Sequence, residues 1–112
     1  MKKIYLPCIS LYFILTCAHA KTLLIVGDSI STGYGLKTKT TWVTYLKQKL
    51  QTIDPKWTVI NSSVPGDTVS SAQQRFVPLL KQWQPNYIIL ELGGNDGLRG
   101  LSTTYMYQTF ST

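Results

Sequence analysis

Along the chain, short apolar runs alternate with stripes of apolar residues at helical spacing. Thr22 to Val26 is a short continuous apolar run, rich in branched residues and closed by Gly27. Such a run predicts a strand buried on both faces. Trp42, Leu46, Leu50 and Ile53 then recur at helical spacing, with Lys47, Gln48, Lys49 and Gln51 on the other faces, until Asp54-Pro55 stops the pattern. This predicts an amphipathic helix. Trp57 to Asn61 reads as a second strand, and Val69, Ala72, Phe76, Leu79, Leu80 and Trp83 form a second helical stripe. Asp67 or Thr68 is expected to cap that helix. Pro78 lies inside the stripe and is expected to kink or restart it. Tyr87 to Leu92 reads as a third strand, followed by another helical segment around Thr103 to Phe110.

Strands alternating with helices at this spacing imply βαβ units and a parallel sheet. The expected class is α/β, a three-layer flavodoxin-like parallel sheet with flanking helices whose pattern stops after the third strand. Three strands leave sheet edges unpaired, so the reading is of a partial domain. Functional groups in such sheets gather at the carboxyl ends of the strands. Here those segments are Gly27 to Thr41, Ser62 to Thr68 and Gly93 to Gly100, all containing glycine and polar residues.

The N-terminal segment changes the inventory. Lys2 and Lys3 precede the apolar stretch Ile4 to Cys17, and Ala18, His19 and Ala20 follow as a small-x-small cleavage site. Residues 1–20 therefore read as a signal peptide, residues 21–112 as the exported domain, and the location as periplasmic or secreted. The stretch is shorter than the roughly 20 apolar residues of a membrane span. Cys17 raises the alternative of a lipoprotein, but Ile14, Leu15 and Thr16 lack the small residue expected just before a lipidated cysteine. Cleavage at Ala20 would remove Cys8, Cys17 and His19, the only cysteines and the only histidine. No internal disulfide or thiolate metal site is then expected. The domain would carry 9 basic against 5 acidic residues, or +4, with the cations scattered rather than clustered. A solvated surface explains them better than a nucleic-acid partner.

Gly27-Asp28-Ser29-Ile30 closes the first strand. A serine on a sharp strand-to-helix turn projects its hydroxyl above a sheet, where backbone N–H groups can stabilise an oxyanion. Ser31 occupies the last position of a Gly-x-Ser-x-Gly elbow, so the α/β-hydrolase family is not supported. Taken alone, the tripeptide fits a turn in which Asp28 and Ser29 satisfy local backbone donors.

Two further blocks alter that balance: Asn61-Ser62-Ser63-Val64-Pro65-Gly66-Asp67-Thr68 after the second strand, and Glu91-Leu92-Gly93-Gly94-Asn95-Asp96-Gly97-Leu98-Arg99-Gly100 after the third. In this order and on these strand ends, the three blocks resemble the SGNH (GDSL) hydrolase family, and within it a group of exported thioesterases, lysophospholipases and arylesterases. The resemblance covers Lys21 to about Gly100. It implies Ser29 as nucleophile, and Gly66 and Asn95 as oxyanion donors through a backbone N–H and a side-chain amide. It implies a small acyl ester, thioester or lysophospholipid substrate and no cofactor or metal. Each residue also has a plain structural reading: Gly66 as a turn residue, Asn95 as a loop cap, Asp28 as a loop-shaping acceptor and Asp67 as a helix cap.

The family's fourth block, an Asp-x-x-His that supplies the base and its orienting carboxylate, is absent from these residues. His19 is expected about 16 Å or more from Ser29, at the opposite edge of the sheet. Low or no turnover is therefore expected of these 112 residues. The competing reading is a catalytically dead acyl- or glycan-binding protein of the same fold. A flavodoxin-like nucleotide binder ranks last, because the Gly27 to Gly35 loop lacks both phosphate-binding glycine spacings.

Overall fold

The computed structural model describes residues 19–38 and 40–112. The signal-peptide reading falls mainly on residues outside that range. The elements run β1 (Lys21–Gly27), α1 (Ser29–Thr32), α2 (Trp42–Ile53), β2 (Trp57–Asn61), α3 (Val69–Trp83), β3 (Tyr87–Glu91), α4 (Gly94–Leu98) and α5 (Thr103–Phe110). The three strands form one parallel sheet in the order β2-β1-β3. This is the α/β architecture the periodicity predicts.

β1 is central because its sequence is apolar on both faces. Leu23 and Ile25 point to one side and pack with Val43, Trp42, Leu46 and Leu50 of α2. Leu24 and Val26 point to the other and pack with Ala72, Phe76, Leu79 and Leu80 of α3. The alternation of a strand thus divides one five-residue run between two cores. β2 and β3 are edge strands, and Tyr87, Ile88 and Leu90 of β3 are exposed.

Thr68, one of the two expected caps, caps α3 by accepting from Ser71 N in a reciprocal capping box. Three local details differ from expectation. Ile53, placed in the first helical stripe, is exposed. α3 runs from Val69 to Trp83 without interruption at Pro78. Pro78 is exposed, so its ring and its missing donor fall on the solvent side of a helix held by its opposite, apolar face. The loops expected after β1 and β3 contain the short helices α1 and α4.

Strand order decides where a site can form. The chain passes from β1 to β2 on one side, then crosses back to place β3 on the other side of β1. β1 and β3 therefore flank the point where the strand order reverses, the place where such sheets form a crevice at their carboxyl ends. Ser29 and Asn95 follow these two strands.

Candidate active site

Ser29 is half-buried and is the first residue of α1, immediately after β1. Asp28 caps the turn, its Oδ1 accepting from Ile30 N at 2.9 Å. Gly33 ends it in the left-handed region at φ 75°, with its N–H donating to Ser29 O. As first residue of a helix, Ser29 has no intrahelical acceptor for its own N–H. Among the described residues that N–H and the Ser29 hydroxyl have no hydrogen-bond partner.

The second loop is pinned beside it. Ser62 N donates to Ile25 O at 2.9 Å and Val64 N to Gly27 O at 3.0 Å, carrying the β1–β2 pairing past the end of β2. Val64-Pro65-Gly66-Asp67 then closes a turn through Asp67 N to Val64 O at 3.2 Å. Gly66 adopts φ +83°, the left-handed value that a type II turn requires at its third position. Its N–H has no partner among the described residues. Asp67 is buried and anchors the loop to α3. Its Oδ2 accepts from Arg75 Nη2 at 2.6 Å and Nε at 3.0 Å, and its Oδ1 accepts from Ser71 Oγ at 2.8 Å. Arg75 Nη1 also donates to Ser62 O at 2.6 Å.

Asn95 joins the third loop to the other two. Its Nδ2 donates to the Asp67 carbonyl at 2.9 Å and lies 3.4 Å from Asp28 Oδ2. One amide nitrogen therefore touches the residue after Gly66 and the residue before Ser29. Asp96, fully buried, accepts from Val69 N at 3.0 Å and so meets the first turn of α3, while its Oδ1 has no partner.

Chemically, the crevice presents one unengaged hydroxyl, two unengaged backbone N–H groups and one side-chain amide. A cavity of about 440 Å³ lies elsewhere, between α3, β3 and α5, and is lined by none of Ser29, Gly66 and Asn95. Residues 25–111 match the sequence profile of the GDSL-like lipase/acylhydrolase family. The chain belongs to that family. Its match thus runs from β1 through α5, across all three blocks. Esterase TesA of Pseudomonas aeruginosa is 39% identical over 105 residues, covering 94% of this chain and 52% of the relative. Thioesterase 1/protease 1/lysophospholipase L1 of Escherichia coli is 46% identical over 92 residues, covering 82% and 43%. The crystal structure of TesA superposes with a TM-score of 0.76 at 41% identity, covering 81% of this chain and 51% of that one. The chain spans about half the length of the curated relatives it matches.

The fold brings Ser29, the Gly66 turn and Asn95 to one end of the sheet. The sequence reading missed Ser31 and Glu91, which support the Ser29 turn from below. Ser31 Oγ donates to Glu91 Oε2 at 2.7 Å and accepts from Trp42 Nε1 at 3.2 Å. A polar residue closing an apolar strand was the available signal for Glu91. Ser31 carried none, because its contacts lie 11 and 60 residues away.

Proposed function

We propose that this chain carries the nucleophile and the oxyanion-stabilising groups of a serine ester or thioester hydrolase. Ser29 Oγ attacks the acyl carbonyl, forming the tetrahedral intermediate. The Ser29 and Gly66 N–H groups and the Asn95 amide receive the oxygen as it becomes negative. Expulsion of the alcohol or thiol, which takes up a proton, leaves an acyl-Ser29 ester. Water then releases the acid and returns the proton to Ser29. Small acyl esters, thioesters and lysophospholipids fit a reaction that needs no cofactor.

The carrying observation is the Asn95 amide, whose contacts with Asp67 O and Asp28 Oδ2 tie together the three loops bearing the proposed donors. The proton from Ser29 needs an acceptor, and the only histidine of these 112 residues precedes β1. Without an oriented base a serine hydroxyl is weakly nucleophilic. Turnover by these residues is therefore slow or nil, and what remains is the acceleration of about 10³ to 10⁴ over water that donors and binding supply alone. The same observation supports a second reading, in which the cleft binds an acyl or glycan ligand without turning it over.

Residues 1–20 are proposed to be a signal peptide cleaved near Ala20, with residues 21–112 acting after export. The deciding experiment incubates the protein with an activated aryl ester and with a fluorophosphonate, followed by intact-mass and peptide analysis. An adduct on Ser29, absent from Ser29→Ala, supports the hydrolase reading. Ligand binding with neither adduct nor turnover supports the second.

A further inference from the structure

The turn that carries Ser29 is held by a carboxylate to which the proposed chemistry gives no part. α1 has only four residues, and so short a helix has no stability of its own in water. Its geometry must come from tethers. Besides the Asp28 cap and the Gly33 terminus, the tether is Ser31, which is fully buried at 0% exposure. Its hydroxyl donates to Glu91 Oε2 at 2.7 Å and accepts from Trp42 Nε1 at 3.2 Å, while its carbonyl accepts from Asn61 Nδ2 at 2.8 Å. The same Glu91 oxygen lies 3.4 Å from Asp28 N. One carboxylate oxygen thus reaches Asp28 and Ser31, on either side of Ser29.

Gly27 shows how closely this oxygen is seated. A Cβ on Gly27 would stand 2.8 Å from Glu91 Oε2 and 2.7 Å from Ser31 Oγ. Glu91 and Ser31 therefore pack against bare backbone at the end of β1. β1 and β3 pair in register at Gly27 and Glu91, so the sheet itself delivers the carboxylate beneath the turn. Burial rules out the other use of the pair, because a hydroxyl with no exposed surface cannot meet a substrate.

We propose that Glu91 is a positioning residue for the nucleophile. Through the Ser31 hydroxyl and the Asp28 amide, its carboxylate sets the direction in which Ser29 presents its hydroxyl and its N–H. The proposal rests on the reading of Ser29 as the attacking group. Hydrogen bonds to a carboxylate are roughly twice as strong as neutral ones, so the charge matters as well as the contact.

The test uses the 112-residue protein with Glu91→Leu, which removes the acceptor, and Glu91→Gln, which keeps an acceptor without charge. Amide hydrogen exchange is read at Ile30 to Thr32 against the interior of α3. Loss of a bond to a charged group should speed exchange in the Ser29 turn by about tenfold or more in Glu91→Leu, with α3 little changed and Glu91→Gln between Glu91→Leu and wild type. An unchanged turn, or equal acceleration in α3, overturns the proposal. The fluorophosphonate supplies the second readout. Ser29 Oγ bonds phosphorus, fluoride leaves, and the proton passes to solvent. A labelling rate lowered about tenfold in Glu91→Leu and partly recovered in Glu91→Gln supports positioning. Equal rates in all three proteins overturn it. If the label falls on a residue other than Ser29 while the turn amides still respond, the nucleophile reading fails and the hold of Glu91 on the turn stands.

Discussion

Asn95 and Asp28 meet across the crevice between β3 and β1, with Asn95 Nδ2 3.4 Å from Asp28 Oδ2. The same nitrogen makes a shorter bond, 2.9 Å, to the Asp67 carbonyl. The amide has two hydrogens. One is committed to the second loop, whereas the other rests on a long contact that an oxyanion can displace. In the proposed function Asp28 holds that donor until an oxyanion displaces it, while its other oxygen caps the Ser29 turn.

Asn95→Ala should lower the rate at which Ser29 is acylated by an activated aryl ester by about 100-fold, the typical effect of one oxyanion donor. Single-turnover mass spectrometry checks this. A loss of less than about threefold would remove Asn95 from the oxyanion site.

Gly27→Ala should destabilise the protein by about 2 kcal/mol, the middle of the range for overpacking a well-filled site. The added carbon would meet Ser31 Oγ at 2.7 Å, Glu91 Oε2 at 2.8 Å and Glu91 O at 3.0 Å. The last of these is backbone and cannot turn aside. Urea denaturation monitored by circular dichroism gives the value, and a wild-type midpoint would contradict the packing described.

Arg75→Met should cost about 2 to 3 kcal/mol. Removing one partner of a fully buried pair costs about 3 to 5 kcal/mol, and the partial exposure of Arg75 reduces this. The variant leaves Asp67 Oδ2 and the Ser62 carbonyl without their donors. Denaturant melts of Arg75→Met and Asp67→Asn, alone and combined, measure the coupling, and simple additivity would contradict it.

The Lys21–Asp54 pair links stability to pH. The Asp54 carboxyl lies below its ordinary value of 3.8, first because it accepts from the Lys56 backbone N–H, then because of its bond to Lys21. A carboxyl whose folded value is lowered stabilises the fold above its unfolded value, and that contribution fades as pH falls through the folded one. The wild type should therefore exceed Asp54→Asn in urea midpoint at neutral pH and converge with it below the ordinary carboxylate range. Both groups are solvent-accessible, so the difference should be small and should shrink in salt. A difference that grows on acidification contradicts the sign.

Elements were legible wherever an apolar stripe had enough length to show its period. β2 has the bounds Trp57–Asn61 that its pattern predicts, and α2 runs from Trp42 to Ile53 as predicted. α1 and α4 have four and five residues, too few to display a helical period, and tertiary contacts hold them. Pro78 shows the reverse failure. A local rule expects a break, yet packing of Ala72, Phe76, Leu79 and Leu80 against the sheet carries the helix through.

The chemistry divides in the same way. Composition and motif order identify which residues are worth watching, because Ser29, Gly66 and Asn95 stand in blocks whose glycines and polar groups have local meaning. The α/β class follows likewise from patterns contained within single elements. Convergence is different in kind. Strand order β2-β1-β3 sets the loops after β1 and β3 side by side. The contact of Asn95 with Asp28 joins residues 67 positions apart, and that of Ser31 with Glu91 joins residues 60 apart. No local pattern encodes such pairs, since each depends on sheet register and on burial within a shared core. The resemblance of the three blocks can propose the donors, but only the packed sheet sets their distances.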